Sequence, residues 1–279
     1  MSLLTKVTQS SQNNTGIRCV IAGVEKVGKT TMCCSAPRPL LIPLENGFMG
    51  LKVSVTPMPE TFNQVIELID EITSQCQKGK FIYKSLVFDS ATALERLIHD
   101  MTITTDGGFT KGNPKGITMA TALGGYGKAY QFANEKFALF LSKCDALAHY
   151  GGLNIVLTSH VFAGKVIDPA VGEYDTWDLL LHSPKDNKTY GKREMITQWA
   201  DVIGFLHEPM FINKEKDSSF AKGINANKGR ILGVERTPGY VAGNRFGIKG
   251  EISVAKEKGW NYLAHAIHQS CGLDVYNRD

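Results

Sequence analysis

One glycine-rich stretch constrains this chain more than any other feature. Residues 23–30, with the sequence GVEKVGKT, match the pattern G-x-x-x-x-G-K-[ST] at every fixed position. In a loop of this type, backbone N–H groups surround the phosphates of a nucleotide. The apolar run 17–22 predicts a buried strand before the loop, and residues 30–35 predict a helix after it. The alternative is a glycine-rich turn that carries a solvated lysine.

The motif assigns a nucleotide contact to each residue of the loop and of the first helical turn. Lys29 would contact the β- and γ-phosphates, and the Thr30 hydroxyl would bind Mg²⁺. ATP and Mg²⁺ are therefore the expected cofactors. The predicted nucleotide-binding residues are Gly23, Val24, Glu25, Lys26, Val27, Gly28, Lys29, Thr30 and Thr31.

Size and composition are typical of a globular enzyme. The chain has 279 residues, of which 43% are hydrophobic, enough for a large α/β core. Its apolar runs are too short to span a bilayer, and residues 1–15 lack the pattern of a signal peptide, so we expect a cytoplasmic protein without a membrane partner. The six cysteines lack zinc-site or C-x-x-C spacing. We expect a flexible N-terminal segment over 1–15 and a single domain over 16–279.

Strand and helix patterns alternate along most of the chain. Apolar runs predict strands over 39–44, 85–88, 153–158, 200–206 and 230–235, and helical periodicity predicts helices over 61–76, 91–101, 128–150, 195–199 and 262–270. This order predicts an α/β fold with a mostly parallel central sheet flanked by helices, and a hairpin or loop over 214–229. Residues 102–127 and 161–192 show no clear period and are predicted to be long loops, the first of them mobile.

Polar side chains follow three of the predicted strands. Glu45, Asp89 and His160 each stand at or just after a strand's carboxyl end, where ligands bind in parallel sheets. Each has an alternative interpretation, because loop acids after strands are often solvated and a lone histidine is often structural.

Taken in order, these elements resemble the RecA-like ATPases, and the resemblance implies their roles. Glu45 would activate the attacking water, Asp89 in LVFDSATAL would hold Mg²⁺ through water, and His160 after IVLTS would sense the γ-phosphate. The segment AGNRFG resembles the K-N-R-F-G element of RadA and DnaB-type ring ATPases, in which the Lys and Arg contact a neighbour's nucleotide. Arg245 is retained, whereas Gly243 replaces the lysine. The alternative is a turn between strands. The catalytic candidates are thus Glu45, Lys29, His160 and Arg245.

Over residues 16–252 the chain is most similar to phage-encoded AAA-type proteins, the RecA-core single-strand annealing proteins of phage recombination systems. The resemblance implies a RecA-like P-loop core that binds single-stranded DNA and assists annealing or strand pairing with a single-strand-binding protein. It also implies a homo-oligomer, ring or filament, whose nucleotide site is shared between subunits, acting in the host cytoplasm.

The two long loops supply the candidate DNA contacts. Lysines with nearby aromatic rings suit single-strand binding that tolerates any sequence. The candidates are Lys111, Lys115, Tyr126, Lys128, Lys185, Lys188, Lys192 and Arg193. Residues 209–260 carry ten Lys and Arg against five Asp and Glu, which fits either a phosphate-binding surface or a solvated face.

Three other functions share these motifs. A ring-forming DNA motor of the DnaB type is favoured by Arg245 but opposed by the absence of a recognisable primase-binding domain or linker in this sequence. A nucleotide-gated assembly module would bind ATP with little turnover. A small-molecule kinase needs arginines on a closing lid, and the long loops with the residues that directly follow them contain Arg193 alone.

Overall fold

The structure is a computed structural model that describes residues 16–108, 116–184, 191–213, 222–225, 229–255 and 257–275. The predicted flexible segment 1–15 lies outside the described residues. Among the described helices, none combines the length and apolar character needed to cross a membrane.

Strands and helices alternate as predicted. The elements up to the fifth strand are β1 (Arg18–Ala22), α1 (Lys29–Cys33), β2 (Pro39–Pro43), β3 (Ser54–Val55), α2 (Phe62–Gln77), β4 (Ser85–Asp89), α3 (Ala91–Thr104), a 3₁₀ turn (Ala122–Gly124), α4 (Lys128–Gly151) and β5 (Asn154–Ser159). They are followed by β6 (Val161–Asp168), β7 (Gly172–Leu179), α5 (Lys192–Trp199), β8 (Val202–His207), β9 (Met210–Asn213), β10 (Lys222–Asn225), β11 (Arg230–Gly233), β12 (Gly243–Asn244), β13 (Glu251–Val254) and α6 (Gly259–Cys271).

The central sheet has the order β13-β11-β8-β1-β5-β4-β2-β3, with β12 also pairing with β8. Strands β8, β1, β5, β4, β2 and β3 are parallel to one another, whereas β11 and β12 pair antiparallel with β8, and β13 pairs antiparallel with β11. The predicted fold class, a mostly parallel sheet with antiparallel strands toward the C-terminus, is confirmed.

Both faces of the sheet are buried, which explains the continuous apolar runs of the central strands. In β1, Val20 and Ala22 pack on one side, while Cys19 and Ile21 pack on the other. The first side is covered by α2, α3 and α4, and the second by α1 and α6. The polar N-caps of α2 and α3 fix where those helices begin, since Thr61 accepts from the Gln64 N–H and Ser90 from the Ala93 N–H.

The interpretation of residues 161–192 as a long loop is wrong. Strands β6 and β7 form an antiparallel hairpin, and α5 begins at Lys192. The hairpin is fastened to the body where the Trp177 N–H donates to the Gly239 carbonyl and the Val241 N–H donates to the Trp177 carbonyl. The pattern was missed because the outer part of the hairpin is exposed and packs few apolar side chains, so its periodicity is weak.

Candidate nucleotide-binding site

The glycine-rich loop connects β1 to α1 at the carboxyl edge of the parallel strands. Two of its glycines have a steric reason to be there. A β-carbon on Gly23 would lie 2.4 Å from the Leu206 carbonyl oxygen of the neighbouring strand. Gly28 caps α1 with a φ of 96°, a left-handed conformation that side chains rarely adopt. The sequence motif therefore forms the compact turn that it predicts.

Lys29 is buried and its ammonium lies inside the loop. Its Nζ donates to the carbonyl oxygens of Gly23 at 2.8 Å and Val24 at 2.9 Å. Burial lowers the pKa of Lys29, although the nearby Asp89 carboxylate partly opposes this effect. The loop thus holds a lysine close to the backbone groups that would face the phosphates, and this donor set fits a polyphosphate.

Asp89 ends β4 directly beside the first turn of α1. Its Oδ2 accepts a hydrogen bond from the Thr30 hydroxyl at 2.8 Å, and its Oδ1 accepts one from the Thr158 hydroxyl of β5. One carboxylate and one hydroxyl are hard oxygen donors, which suit Mg²⁺ when phosphates and water complete its coordination. The described residues contain no cluster of three or more His, Cys, Asp or Glu that would hold a metal alone. Thr30 and Asp89 therefore fit a magnesium ion that arrives with a nucleotide.

Glu45 and His160, predicted separately, are in direct contact. Glu45 Oε1 lies 2.8 Å from His160 Nε2, and Glu25 Oε1 lies 3.7 Å from His160 Nδ1. Burial raises the pKa of Glu45, but hydrogen bonds from His160 and Ser90 outweigh it, so the pKa lies below its usual value. Glu45 is consequently ionised at neutral pH, the form that accepts a proton.

The match to a known family agrees with this arrangement. The family model described as the AAA domain covers residues 15–246, which is most of the chain. The chain belongs to the AAA domain family. This family consists of P-loop ATPases, in agreement with the predicted nucleotide-binding loop. No curated protein matches the sequence.

Arg245 lies at the opposite edge of this AAA domain's sheet from the loop. Asn244 pairs with Val202, the first residue of β8, whereas the loop follows the last residue of β1. The Arg245 guanidinium is 3.2 Å from Asp201 Oδ1 and also donates to the Gln198 carbonyl. Its side chain is 53% exposed. Arg245 is thus remote from the nucleotide loop of its own chain.

The segment around Arg245 forms a well-bonded turn. The Asn244 side-chain amide donates to the carbonyls of Val234 and Ile248, and its oxygen accepts from the N–H groups of Phe246 and Ile248. Four hydrogen bonds from one side chain explain why asparagine precedes the arginine. The turn anticipated as the alternative is present, and it presents Arg245 at the surface.

The predicted DNA contacts differ in their placement. Tyr126 is fully exposed, and Lys128 is exposed at the start of α4. Arg193 is partly buried and forms an ion pair with Asp178 at 2.8 Å. The remaining lysines of the two loops lie outside the described residues: Lys111, Lys115, Lys185 and Lys188.

The assignment of Lys192 to the DNA surface is corrected by the structure. Its side chain is fully buried, and its ammonium lies 3.3 Å from Glu95 Oε1 and 3.1 Å from His99 Nε2. A buried charge needs such partners, because its loss of hydration is otherwise uncompensated. Lys192 therefore links α5 to α3, and its side chain is not accessible to a DNA phosphate.

Two residues of the site escaped the sequence analysis. Thr158, on the neighbouring strand, donates a hydrogen bond to Asp89. Its position two residues before His160, at the end of the same apolar strand, could have indicated that it belongs to the site. Arg230, the first residue of β11, packs its guanidinium against Gly28. No sequence pattern pointed to this contact, since it depends on the antiparallel pairing of β11 with β8.

Proposed function

We propose that the protein is a Mg²⁺-dependent ATPase that acts on single-stranded DNA in phage recombination, by annealing or strand pairing. Membership of a P-loop ATPase family supports the nucleotide part of this proposal. The DNA part rests on the way that the catalytic candidates are joined to the hairpin of β6 and β7.

Each candidate has a role that its position supports. Bound ATP and Mg²⁺ would supply an electrophilic terminal phosphoryl group. Thr30 and Asp89 would hold the metal, and Lys29 would stabilise negative charge on the phosphates. Glu45 would accept the proton of the attacking water, because it is ionised and lies at a strand end beside the loop.

The contact between Glu45 and His160 is the observation that carries the proposal. His160 immediately precedes β6, and its carbonyl accepts a hydrogen bond from the Leu180 N–H just after β7. The 2.8 Å contact therefore connects the candidate base to the root of the hairpin. A ligand that displaced the hairpin would move His160 and so change the hydrogen bonding of the candidate general base, Glu45. A DNA-stimulated ATPase needs such a coupling between DNA binding and catalysis.

The exposed side chains near this edge suit an unpaired strand. Tyr126 is fully exposed, and Lys128 follows two residues later at the start of α4. Aromatic rings that stack on bases and cations that contact phosphates are the usual components of a single-strand binding surface. We propose that these two residues contact DNA together with the loop lysines.

A ring-forming DNA motor is the second candidate function. It is favoured by the exposed Arg245, which lies too far along the sheet to serve the nucleotide of its own chain. In a homo-oligomer, Arg245 would stabilise the phosphates bound to the next subunit. Strand displacement that requires ATP would favour the motor over annealing.

The decisive experiment measures ATP turnover with and without single-stranded DNA. We expect DNA to stimulate the wild type. Glu45→Gln should lower turnover by about 10² or more, the usual contribution of general-base catalysis. Lys29→Ala should lower it by about 10²–10³, since it removes a group that stabilises charge on the phosphates. Glu67→Gln, on the exposed face of α2, is the matched control and should behave as wild type. Turnover indifferent to DNA would remove the DNA part of the proposal.

Mixing variants tests the shared site. If Arg245 acts on a neighbour, Arg245→Ala and Lys29→Ala should each be inactive, and their mixture should recover part of the activity. An Arg245→Ala protein that is active by itself, or a mixture that stays inactive, would contradict the role in trans.

A further inference from the structure

The two ends of a bound nucleotide must leave the loop in different directions. The metal and hydrolysis residues Asp89, Thr158 and Glu45 all lie on the side of β5, β4 and β2. The terminal phosphate therefore faces that side. The nucleoside end would then extend toward the other side, where β8 pairs with β1 and Arg230 of β11 contacts Gly28. This reasoning rests on the nucleotide site proposed above.

Arg230 stands on that other side, in contact with the loop. Ile231 pairs with His207 in the antiparallel register of β11 and β8, so Arg230 extends beyond the carboxyl end of β8. A β-carbon on Gly28 would lie 2.2 Å from Arg230 Nη1 and 2.6 Å from its Cζ. The guanidinium therefore covers Gly28 at the start of α1. Within the described part of the chain, this side chain forms no ion pair.

Beside Arg230 is a cavity of about 410 Å³, within the usual range for small-molecule sites. Tyr262, in the first turn of α6, also lines this cavity and is 42% exposed. Helix α6 is held against α1, since a β-carbon on Gly259 would lie 2.5 Å from Met32 Cγ. The other lining residues include Ile231, Ser253, Val254 and Ala255. An aromatic ring and a guanidinium thus border a mostly apolar space.

A second cavity, of about 660 Å³, is lined by loop residues directly, whereas the smaller cavity reaches the loop only through Arg230. The second cavity is nevertheless less suited to a nucleoside. It contacts the outer part of the loop and is lined by Trp177 and Tyr240. Its lining includes three glutamates, Glu25, Glu208 and Glu251, against one lysine, Lys26. Negative charges beside a triphosphate are unfavourable, whereas Arg230 in the smaller cavity is favourable. The charges therefore favour the cavity of Arg230 and Tyr262.

We propose that Arg230 and Tyr262 form the subsite for the nucleobase of the bound nucleoside triphosphate. The planar guanidinium stacks well on an aromatic face, and tyrosine provides a second flat surface at low entropic cost. The subsite lets the protein bind a nucleotide more tightly than a bare polyphosphate.

The test compares the binding of Mg–ATP with that of inorganic tripolyphosphate in the presence of Mg²⁺, by titration calorimetry. Stacking of a base on an aromatic side chain is worth about 5- to 100-fold in affinity. We expect Tyr262→Ala to weaken ATP binding by roughly tenfold and to leave tripolyphosphate binding unchanged. Arg230→Lys keeps the charge but removes the flat surface, so it should also act on ATP selectively.

Controls separate this inference from the nucleotide site itself. Tyr262→Leu retains apolar bulk for packing and should show the same selective loss, which excludes a folding defect. Tyr150→Ala, at an 86% exposed tyrosine on α4, should change neither affinity. Equal losses for the two ligands, or no loss for either, would overturn the base subsite. If Lys29→Ala left both affinities unchanged, the proposed nucleotide site would be wrong instead.

Discussion

The buried pair of Lys192 and Glu95 allows a quantitative prediction. The Lys192→Ala substitution removes an ammonium on a fully buried side chain and leaves the Glu95 side chain, 12% exposed, without its cation. The His182 N–H still donates to Glu95 at 2.9 Å, so one hydrogen bond remains. Burial and the adjacent Lys192 charge lower the pKa of His99 to about 3, so His99 is neutral and accepts from the ammonium. Lys192→Ala removes that donor as well.

Breaking a buried ion pair on one side costs about 3–5 kcal/mol. We therefore expect Lys192→Ala to lower the free energy of unfolding by about 3–5 kcal/mol. Lys128→Ala, at an exposed lysine, should change it by less than about 0.5 kcal/mol. The double substitution Lys192→Met with Glu95→Gln removes both charges at similar volume and should recover most of the loss.

Urea denaturation followed by circular dichroism measures these differences. A loss below about 1 kcal/mol for Lys192→Ala would refute the buried pair, because that value is typical of a surface ion pair. The double variant also tests the correction of the DNA assignment. If it folds and binds single-stranded DNA as the wild type does, Lys192 makes no phosphate contact, whereas a selective loss of DNA affinity would restore the original prediction.

Two further predictions concern the nucleotide site. Thr158→Val removes the hydroxyl that donates a hydrogen bond to Asp89. It should weaken Mg–ATP binding, measured by calorimetry, by about 1.5–3 kcal/mol. An unchanged affinity would show that this hydrogen bond does not position Asp89 as a metal ligand. In His160→Ala, burial still raises the pKa of Glu45 while a hydrogen bond that lowers it is lost, so the fall in turnover at acidic pH should move to higher pH. A profile of kcat against pH that did not move would contradict Glu45 as the base.

Much of the fold followed from local patterns. The strands are nearly continuous apolar runs because both faces of the sheet are covered, and the amphipathic helices α2 and α3 begin at polar caps, Thr61 and Ser90. Boundaries agreed within a few residues for most elements. The hairpin of β6 and β7 could not be predicted from local patterns, since it is exposed and held to the body by backbone hydrogen bonds at Trp177. Backbone hydrogen bonds produce no hydrophobic periodicity in the sequence.

The sequence by itself determined the loop from Gly23 to Thr30 and the polar strand ends, because a parallel sheet brings the carboxyl ends of its strands to one edge. Only the tertiary structure decided which of these groups touch. The Glu45–His160 contact, the burial of Lys192 and the position of Arg230 over Gly28 join residues that are far apart in the chain. Local propensity contains no information on such pairs, since their distances are set by strand order, register and helix packing.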